Sequence, residues 1–313
     1  MSKRNKFADF LSNMAARCII GAALLLPYRW RIPLFGWVTS RVVAPFAGYE
    51  KRVRDNLALV LPDLPESEVR ALCRRAPDNA GRSLIEIYSG ELFKRRAAKS
   101  AIEGPGLAAM EEARAAGRPI ILVTGHFGNY DAPRAALIAR GFDIGALYRP
   151  MSNRFFNRHY ERSIAKIGTP VFPRGREGLA RMIRFLRNGG VLGFFIDNHV
   201  SDGTPVDFFG KPANTSLSAA RMALKYDAVI LSVFGLRLEN GLDFRIVINA
   251  PVPHSTPEEM TRHLTRELER IARRHMDQWL WIHRRWKSSG SHERISATVR
   301  PREWVRDSLA GSG

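Results

Sequence analysis

The sequence predicts an α/β domain, a sheet with helices on its faces, and three observations point there. From residue 119 onward apolar strand-like runs alternate with stretches of helical period. The chain has 313 residues, 45% of them hydrophobic and 25% charged, which is enough to bury one large core. No internal repeat or low-complexity tract suggests a solenoid or a disordered chain.

The elements follow in order. Helices are expected over 50–60, 66–76 and 79–94, the second starting at Pro65 and Glu66 in DLPESEVRAL with an acidic first turn. Then come PIILVT and a helix near 130–140, FDIGALY and a helix near 153–167, and TPVFP and a helix near 176–187. GVLGFFI leads through a long loop to a helix near 216–226, followed by AVILSVFGLRL and DFRIVINA as strands and a last helix over 257–276. Ligands of such sheets bind outside the carboxyl ends of the strands.

The N-terminal fifty residues differ. After a basic start, Phe7, Phe10, Leu11 and Met14 fall at helical spacing, and an apolar run extends from Cys18 to Leu26. A membrane span needs about 20 apolar residues, and Arg17, Arg29, Arg31 and Arg41 interrupt this one. The pattern fits an interfacial helix or a short tilted anchor, with Trp30 and Trp37 at the headgroup level, or else a buried helical hairpin. LLLPYRWR offers no small-residue cleavage site for a signal peptide. The expected division is 1–48 as membrane-associated helices, 49–290 as the main domain and 291–313 as an irregular tail.

Forty-nine Lys and Arg against thirty Asp and Glu give a net charge of +19, so the partners expected are anionic: phospholipid, phosphorylated substrate, an acidic carrier protein or nucleic acid. Cys18 and Cys73 are too few for a disulfide framework or a zinc ribbon.

TGHFGNYD, residues 124–131, places His126 in the turn after a strand and Asp131 in the first turn of the next helix. Gly125 and Gly128 would let that turn fold so that the carboxylate reaches the imidazole, fixes its tautomer and makes it a general base. A satisfied loop histidine is the plain alternative. No G-x-S-x-G elbow is present, and Cys73 lies outside the α/β part, so an acceptor hydroxyl carried by the substrate is the expected nucleophile. One His and one Asp are too few for a metal, with DNHVSD only a loose second cluster, and no cofactor is expected.

HFGNYD resembles the H-x-x-x-x-[DE] element of the late acyltransferases of lipid A biosynthesis. Five further segments fall in that family's order: RVRDNLALVLPDL, YRP, GGVLGFFIDNHV, VDFFGKPANTSLSAARMALKYDAVILSVF and DQWLWIHRRWK. The resemblance implies a glycerol-phosphate-acyltransferase-like mixed α/β sheet, an N-terminal membrane anchor and a place at the cytoplasmic face of the inner membrane. It implies acyl transfer from acyl carrier protein, or coenzyme A, to a hydroxyl of a phosphorylated glycolipid, without a covalent intermediate. His126 then resembles the catalytic base and Asp131, shorter than the glutamate of many members, its orienting carboxylate. Arg149 resembles the family's functional arginine, a fixed cation for a phosphate or an oxyanion.

Further candidates have balanced plain readings. Asp197, after an apolar strand, would orient Arg149 or another cation. Phe208 and Phe209 would wall an acyl chain or fill the core, and Lys211 beside them would meet phosphate or carrier, or solvent. Arg174 and Arg176 stand at a helix start that favours anions. Trp279, Trp281 and Trp286, interleaved with Arg284 and Arg285, fit lipid headgroups, single-stranded nucleic acid or a buried last strand, and His283 beside them is expected to be structural. Acylation of another lipid, such as a lysophospholipid or a mannolipid, is the second reading. A non-catalytic basic membrane-coating or nucleic-acid-binding protein is the third; against nucleic acid, the basic residues are scattered rather than gathered in a motif.

Overall fold

The computed structural model describes residues 6–287, so the tail expected over 291–313, with Trp304, lies outside the described residues. The chain begins with α1 (Lys6–Leu25), α2 (Tyr28–Val38), a π-helical turn (Thr39–Val43) and α3 (Ala44–Phe46). Next come α4 (Tyr49–Val60), α5 (Glu66–Tyr88) and α6 (Glu91–Ala98). The sequence suggested a break near residue 77, but α5 runs through Pro77 without one. Packing overrides local propensity here: α5 lies so close to α2 and the π-turn that a Cβ at Gly81 would collide with Thr39, and one at Gly36 with Asp78.

The α/β part follows as β1 (Ala101–Glu103), α7 (Gly106–Ala115), β2 (Ile120–Thr124), α8 (Ala132–Ile138), β3 (Ile144–Tyr148) and α9 (Arg154–Ile167). It continues with β4 (Val171–Pro173), α10 (Arg176–Arg187), β5 (Val191–Phe195), β6 (Thr204–Phe208) and β7 (Lys211–Thr215). It ends with α11 (Ser218–Tyr226), β8 (Val229–Arg237), β9 (Phe244–Ile248) and α12 (Pro257–Arg274). Among the described residues the strands form a seven-stranded sheet in the order β1-β9-β8-β2-β5-β3-β4. The run from β8 to β4 is parallel, and β9 turns back antiparallel to β8 with β1 alongside it, so the sheet is mixed. The expected long loop after GVLGFFI contains the antiparallel β6-β7 hairpin.

Both faces of the sheet are covered, which is why β2 is buried at every position. Its side chains alternate: Ile121 and Val123 join Leu264 and Leu268 of α12 on one face, while Ile120 and Leu122 join Ile85, Phe93 and Ala136 on the other. α12 opens with a capping box, the Thr256 hydroxyl accepting from Glu259 N and the Glu259 carboxylate from Thr256 N.

The N-terminal helices pack on the second face through Ile20, Tyr28 and Ile32. They also leave Phe7, Phe10, Leu11, Met14, Leu25, Trp30, Leu34, Trp37 and Phe46 exposed. Among the described residues no helix is long and apolar enough to cross a membrane.

Candidate active site

β2 ends at Thr124, and the chain bends through Gly125 to Asn129 before α8 starts. Gly128 sits at φ +53°, and a Cβ there would overlap the Gly235 carbonyl oxygen of β8. Only glycine meets both demands. Gly125 is needed for a different reason: a side chain would press on Leu268 and crowd the Asp197 carboxylate.

The bend is braced from three directions. Ser83 and Asn79 of α5 both donate to the Gly128 carbonyl. The segment after α12 runs antiparallel beside it, with Gly128 N donating to Gln278 O at 2.8 Å and Leu280 N to His126 O at 3.0 Å. From β8, Gly235 O accepts from Asn129 N.

Behind the bend lies a buried ion pair. Arg237 grips Glu86 with both guanidinium ends, at 2.6 and 2.7 Å, and Asn129 donates to the same carboxylate. The Asn129 side-chain oxygen in turn accepts from the backbone N–H groups of Asp131 and Ala132 and so opens α8. Arg237 also bonds Asn79 and Ser83, which joins α5, β8 and the histidine bend in one network.

The carboxylate that meets the imidazole is Asp197, beyond the end of β5, where β5 pairs with β2. Its Oδ1 faces His126 Nδ1 at 2.9 Å, and its Oδ2 accepts from His126 N at 2.7 Å and from Trp279 Nε1 at 3.1 Å. Asp197 is 1% exposed. Burial alone would raise its pKa, but the attraction of His126, its hydrogen bonds and His283 outweigh burial and hold the carboxyl well below the usual carboxylate range. Facing an ionised carboxylate, Nδ1 carries the proton, and Nε2 is left as acceptor. Nε2 has no hydrogen-bond partner among the described residues, and the side chain is 20% exposed, open to solvent.

The ring is held sideways as well. Phe195 stacks on it at 4.4 Å, and Tyr130 and His283 meet it edge-on at 5.5 and 4.5 Å. The His283 pKa is pushed down to about 4 by burial and by His126 beside it, so His283 is neutral at pH 7. Its Nε2 is buried without a partner.

This geometry corrects several expectations. Asp131 is not the partner of His126; its carboxylate lies 3.9 Å from Arg134 Nη1, in a buried setting that raises its pKa against the pull of Arg134. The reason is the turn at Asn129, which sends residue 131 to the start of α8 while β5 brings Asp197 in from the neighbouring strand. Asp197 does not orient Arg149, because among the described residues its donors belong to His126 and Trp279. Arg149 is exposed at the carboxyl end of β3, which pairs with β5. Phe208 and Phe209, 0% and 2% exposed, fill the core against Trp279, Trp281 and Trp286 and wall no open groove. Lys211, Arg174 and Arg176 are exposed, on the hairpin and at the start of α10.

The C-terminal motif is irregular rather than a strand, and within it Trp279 and Trp281 are fully covered while Arg284 and Lys287 are exposed. Arg285 is also covered, donating to Asn198 O, Asn214 O and the Thr215 hydroxyl, with its pKa lowered to about 10 by burial against the pull of Asp197. It therefore faces no headgroup and ties the segment after Asp197 to β7. Sequence reasoning missed Glu86, Asn79, Arg237 and Gln278; the one signal was a lone carboxylate within the apolar stretch LIEIY. No group of three or more His, Cys, Asp or Glu among the described residues is placed to hold a metal ion.

Residues 4–288 match the family model described as bacterial lipid A biosynthesis acyltransferase. A lipid A biosynthesis acyltransferase of Haemophilus influenzae is 22% identical over 82% of this chain and 81% of its own length. The lipid A biosynthesis lauroyltransferase of Escherichia coli is also 22% identical, over 76% and 79%. A phosphatidylinositol mannoside acyltransferase of Mycobacterium tuberculosis reaches 22% over 83% and 89%.

Proposed function

Since the chain belongs to the bacterial lipid A biosynthesis acyltransferase family, we propose that it moves a fatty acyl chain from a thioester, on acyl carrier protein or coenzyme A, to a hydroxyl of a lipid A precursor at the inner membrane. The observation that carries the reading is the pairing of His126 Nδ1 with buried Asp197, which leaves Nε2 accessible.

In this mechanism Nε2 takes the proton of the acceptor hydroxyl as its oxygen attacks the thioester carbonyl. Asp197 stabilises the imidazolium through Nδ1, and a tetrahedral oxyanion forms. The intermediate collapses with cleavage of the C–S bond, and the imidazolium returns its proton to the departing thiolate. Arg149, at the same end of the sheet, is the cation for the oxyanion or for a substrate phosphate. Arg174, Arg176 and Lys211 are available to phosphate or carrier by their exposure. The glycerol-phosphate-acyltransferase-like architecture is part of the same proposal.

The membrane is the setting because the N-terminal helices expose Phe10, Leu25, Trp30, Trp37 and Phe46 beside Arg17, Arg29 and Arg41. The test is acyl transfer from acyl carrier protein to a tetra-acylated lipid A precursor by the wild type and His126→Ala. A loss of about a thousandfold is expected from removal of a general base and its positioning; equal rates would remove the assignment. The mycobacterial relative favours one other acceptor class, a mannolipid. Mass spectrometry of the lipids of a deletion strain decides between them: a missing acyl chain on lipid A supports the first acceptor, an unchanged lipid A pattern the second.

A further inference from the structure

A pocket of about 420 Å³ opens where the start of α2 meets α6 and the β8-β9 turn, lined by Tyr28, Leu92, Arg95, Arg96, Lys99 and Asp243. Its charge is lopsided. Arg96 lies 2.5 Å from Asp243, which accounts for one cation. The C-terminal end of α6 carries a partial negative charge of about one half, which accounts for part of another. Against three cations and one carboxylate in the lining, positive charge is left over, lessened by Glu91 beside Arg95. Among the described residues Arg95 has one long ion-pair contact, 3.6 Å to Glu91, and Lys99 has none.

The wall carries an independent sign of a missing partner. Tyr28 is 8% exposed, and its hydroxyl is buried with no hydrogen-bond partner. Burying such a group without a partner is unfavourable. The Arg96 guanidinium lies over the same ring at 5.1 Å, so the Tyr28 ring and this cation share one wall of the pocket. One lining residue is apolar and open to solvent, Leu92 at 48% exposed, and the helices that carry Tyr28 and precede it expose Leu25 and Trp30 elsewhere on their surface.

We propose that this pocket binds a lipid-borne phosphate group, with Arg95 and Lys99 gripping the phosphate oxygens, Arg96 held ready by Asp243, and the Tyr28 hydroxyl donating to one of those oxygens. A phosphomonoester carries about −1.5 to −2 charges at pH 7, which answers the positive surplus, and exposed Leu92 with the exposed apolar residues of α1 and α2 suits its acyl chains. The site deepens the membrane reading made above and rests on it. It lies apart from His126, on residues that take no part in the proposed proton transfer.

The test uses the full chain, the double variant Arg95→Ala/Lys99→Ala and the single variant Tyr28→Phe, with Arg262→Ala/Arg266→Ala as a charge-matched control. Arg262 and Arg266 are exposed on α12, which packs on the opposite face of the sheet. Binding is measured by sedimentation with vesicles of phosphatidylcholine alone or with added phosphatidic acid. The double variant is expected to lose about thirtyfold of the affinity that phosphatidic acid adds, from two basic residues at an anionic surface, and the control less than about threefold. Tyr28→Phe is expected to lose about fivefold. Equal losses in double variant and control, or no loss in either, would overturn the site.

A second arm measures protection against thermal unfolding by inorganic phosphate. Protection of the wild type and not of the double variant assigns the pocket to free as well as lipid phosphate; protection of neither, with the vesicle result as expected, restricts it to lipid. If the wild type binds no vesicle, the membrane reading fails, and this arm alone judges the pocket: selective protection upholds a phosphate site, and its absence overturns it.

Discussion

Replacing Asp197 by asparagine changes little in volume and a great deal in proton placement. The carboxylate accepts three hydrogen bonds, from His126 N, His126 Nδ1 and Trp279 Nε1. An amide has one oxygen, and the two N–H donors on Oδ2 claim it, which turns the NH₂ toward Nδ1. Nδ1 must then accept, the proton moves to Nε2, and the nitrogen that faces substrate can no longer remove one. The wrong tautomer in a histidine–aspartate pair costs up to about 10⁴ in kcat, and part of the imidazolium stabilisation is lost with the charge. Asp197→Asn is therefore expected to lower kcat by about 10³, close to 4 kcal/mol of barrier, with KM for the thioester within about threefold. Asp131→Asn, whose carboxylate meets Arg134 instead, is expected to stay within about tenfold of wild type. The assay is transfer of a labelled acyl chain from carrier thioester to lipid acceptor, with thermal melts to show that both variants fold. Full activity in folded Asp197→Asn, with collapse in Asp131→Asn, would refute the reasoning and restore the partner suggested by sequence spacing.

Other expectations concern the frame around the histidine. Glu86→Gln breaks a pair whose side chains are 0% and 6% exposed and leaves a buried guanidinium without its counter-charge; chemical denaturation should register a loss of about 3–5 kcal/mol. Gly128→Ala should cost at least about 1–3 kcal/mol from its positive φ alone, and a melt showing no loss would contradict the contact with Gly235. His283 titrates near 4 in the folded chain and near 6.5 when unfolded. The unfolded chain binds the extra proton between those values, so stability should fall as pH drops from about 6.5 to about 4 and level off below. Denaturation curves of His283→Gln across that window should show a shallower fall than wild type.

How far the sequence revealed this arrangement depends on the range of the interaction concerned. The strand-helix alternation after residue 119 was legible because burial on both sheet faces is written into local runs such as PIILVT. His126 was legible because a glycine-flanked bend after a buried strand is a local event. Its partner was not, since Asp197 lies 71 residues away and only the pairing of β5 with β2 brings it near. Spacing favoured Asp131, and nothing in HFGNYD shows that Asn129 opens α8 early and turns residue 131 away. The C-terminal tryptophans stayed open for a related reason: interleaved with arginine they fit a surface as well as a buried strand, and only their contacts with Phe208 and Phe209 show that they are interior. The continuous α5 needed its neighbour α2 to be predictable, because Pro77 argues for a break at the level of the single helix.

Leu280 N and the Trp279 indole reach the histidine bend from nearly the far end of the chain. During synthesis, a ribosome that has released everything through α12 has still not delivered the residues that press His126 and Asp197 into register. On the proposed mechanism, the pairing of base and carboxylate is braced in full only once these last contacts form. A premature stop anywhere before residue 279 should yield a chain that owns all its reactive groups and turns over nothing.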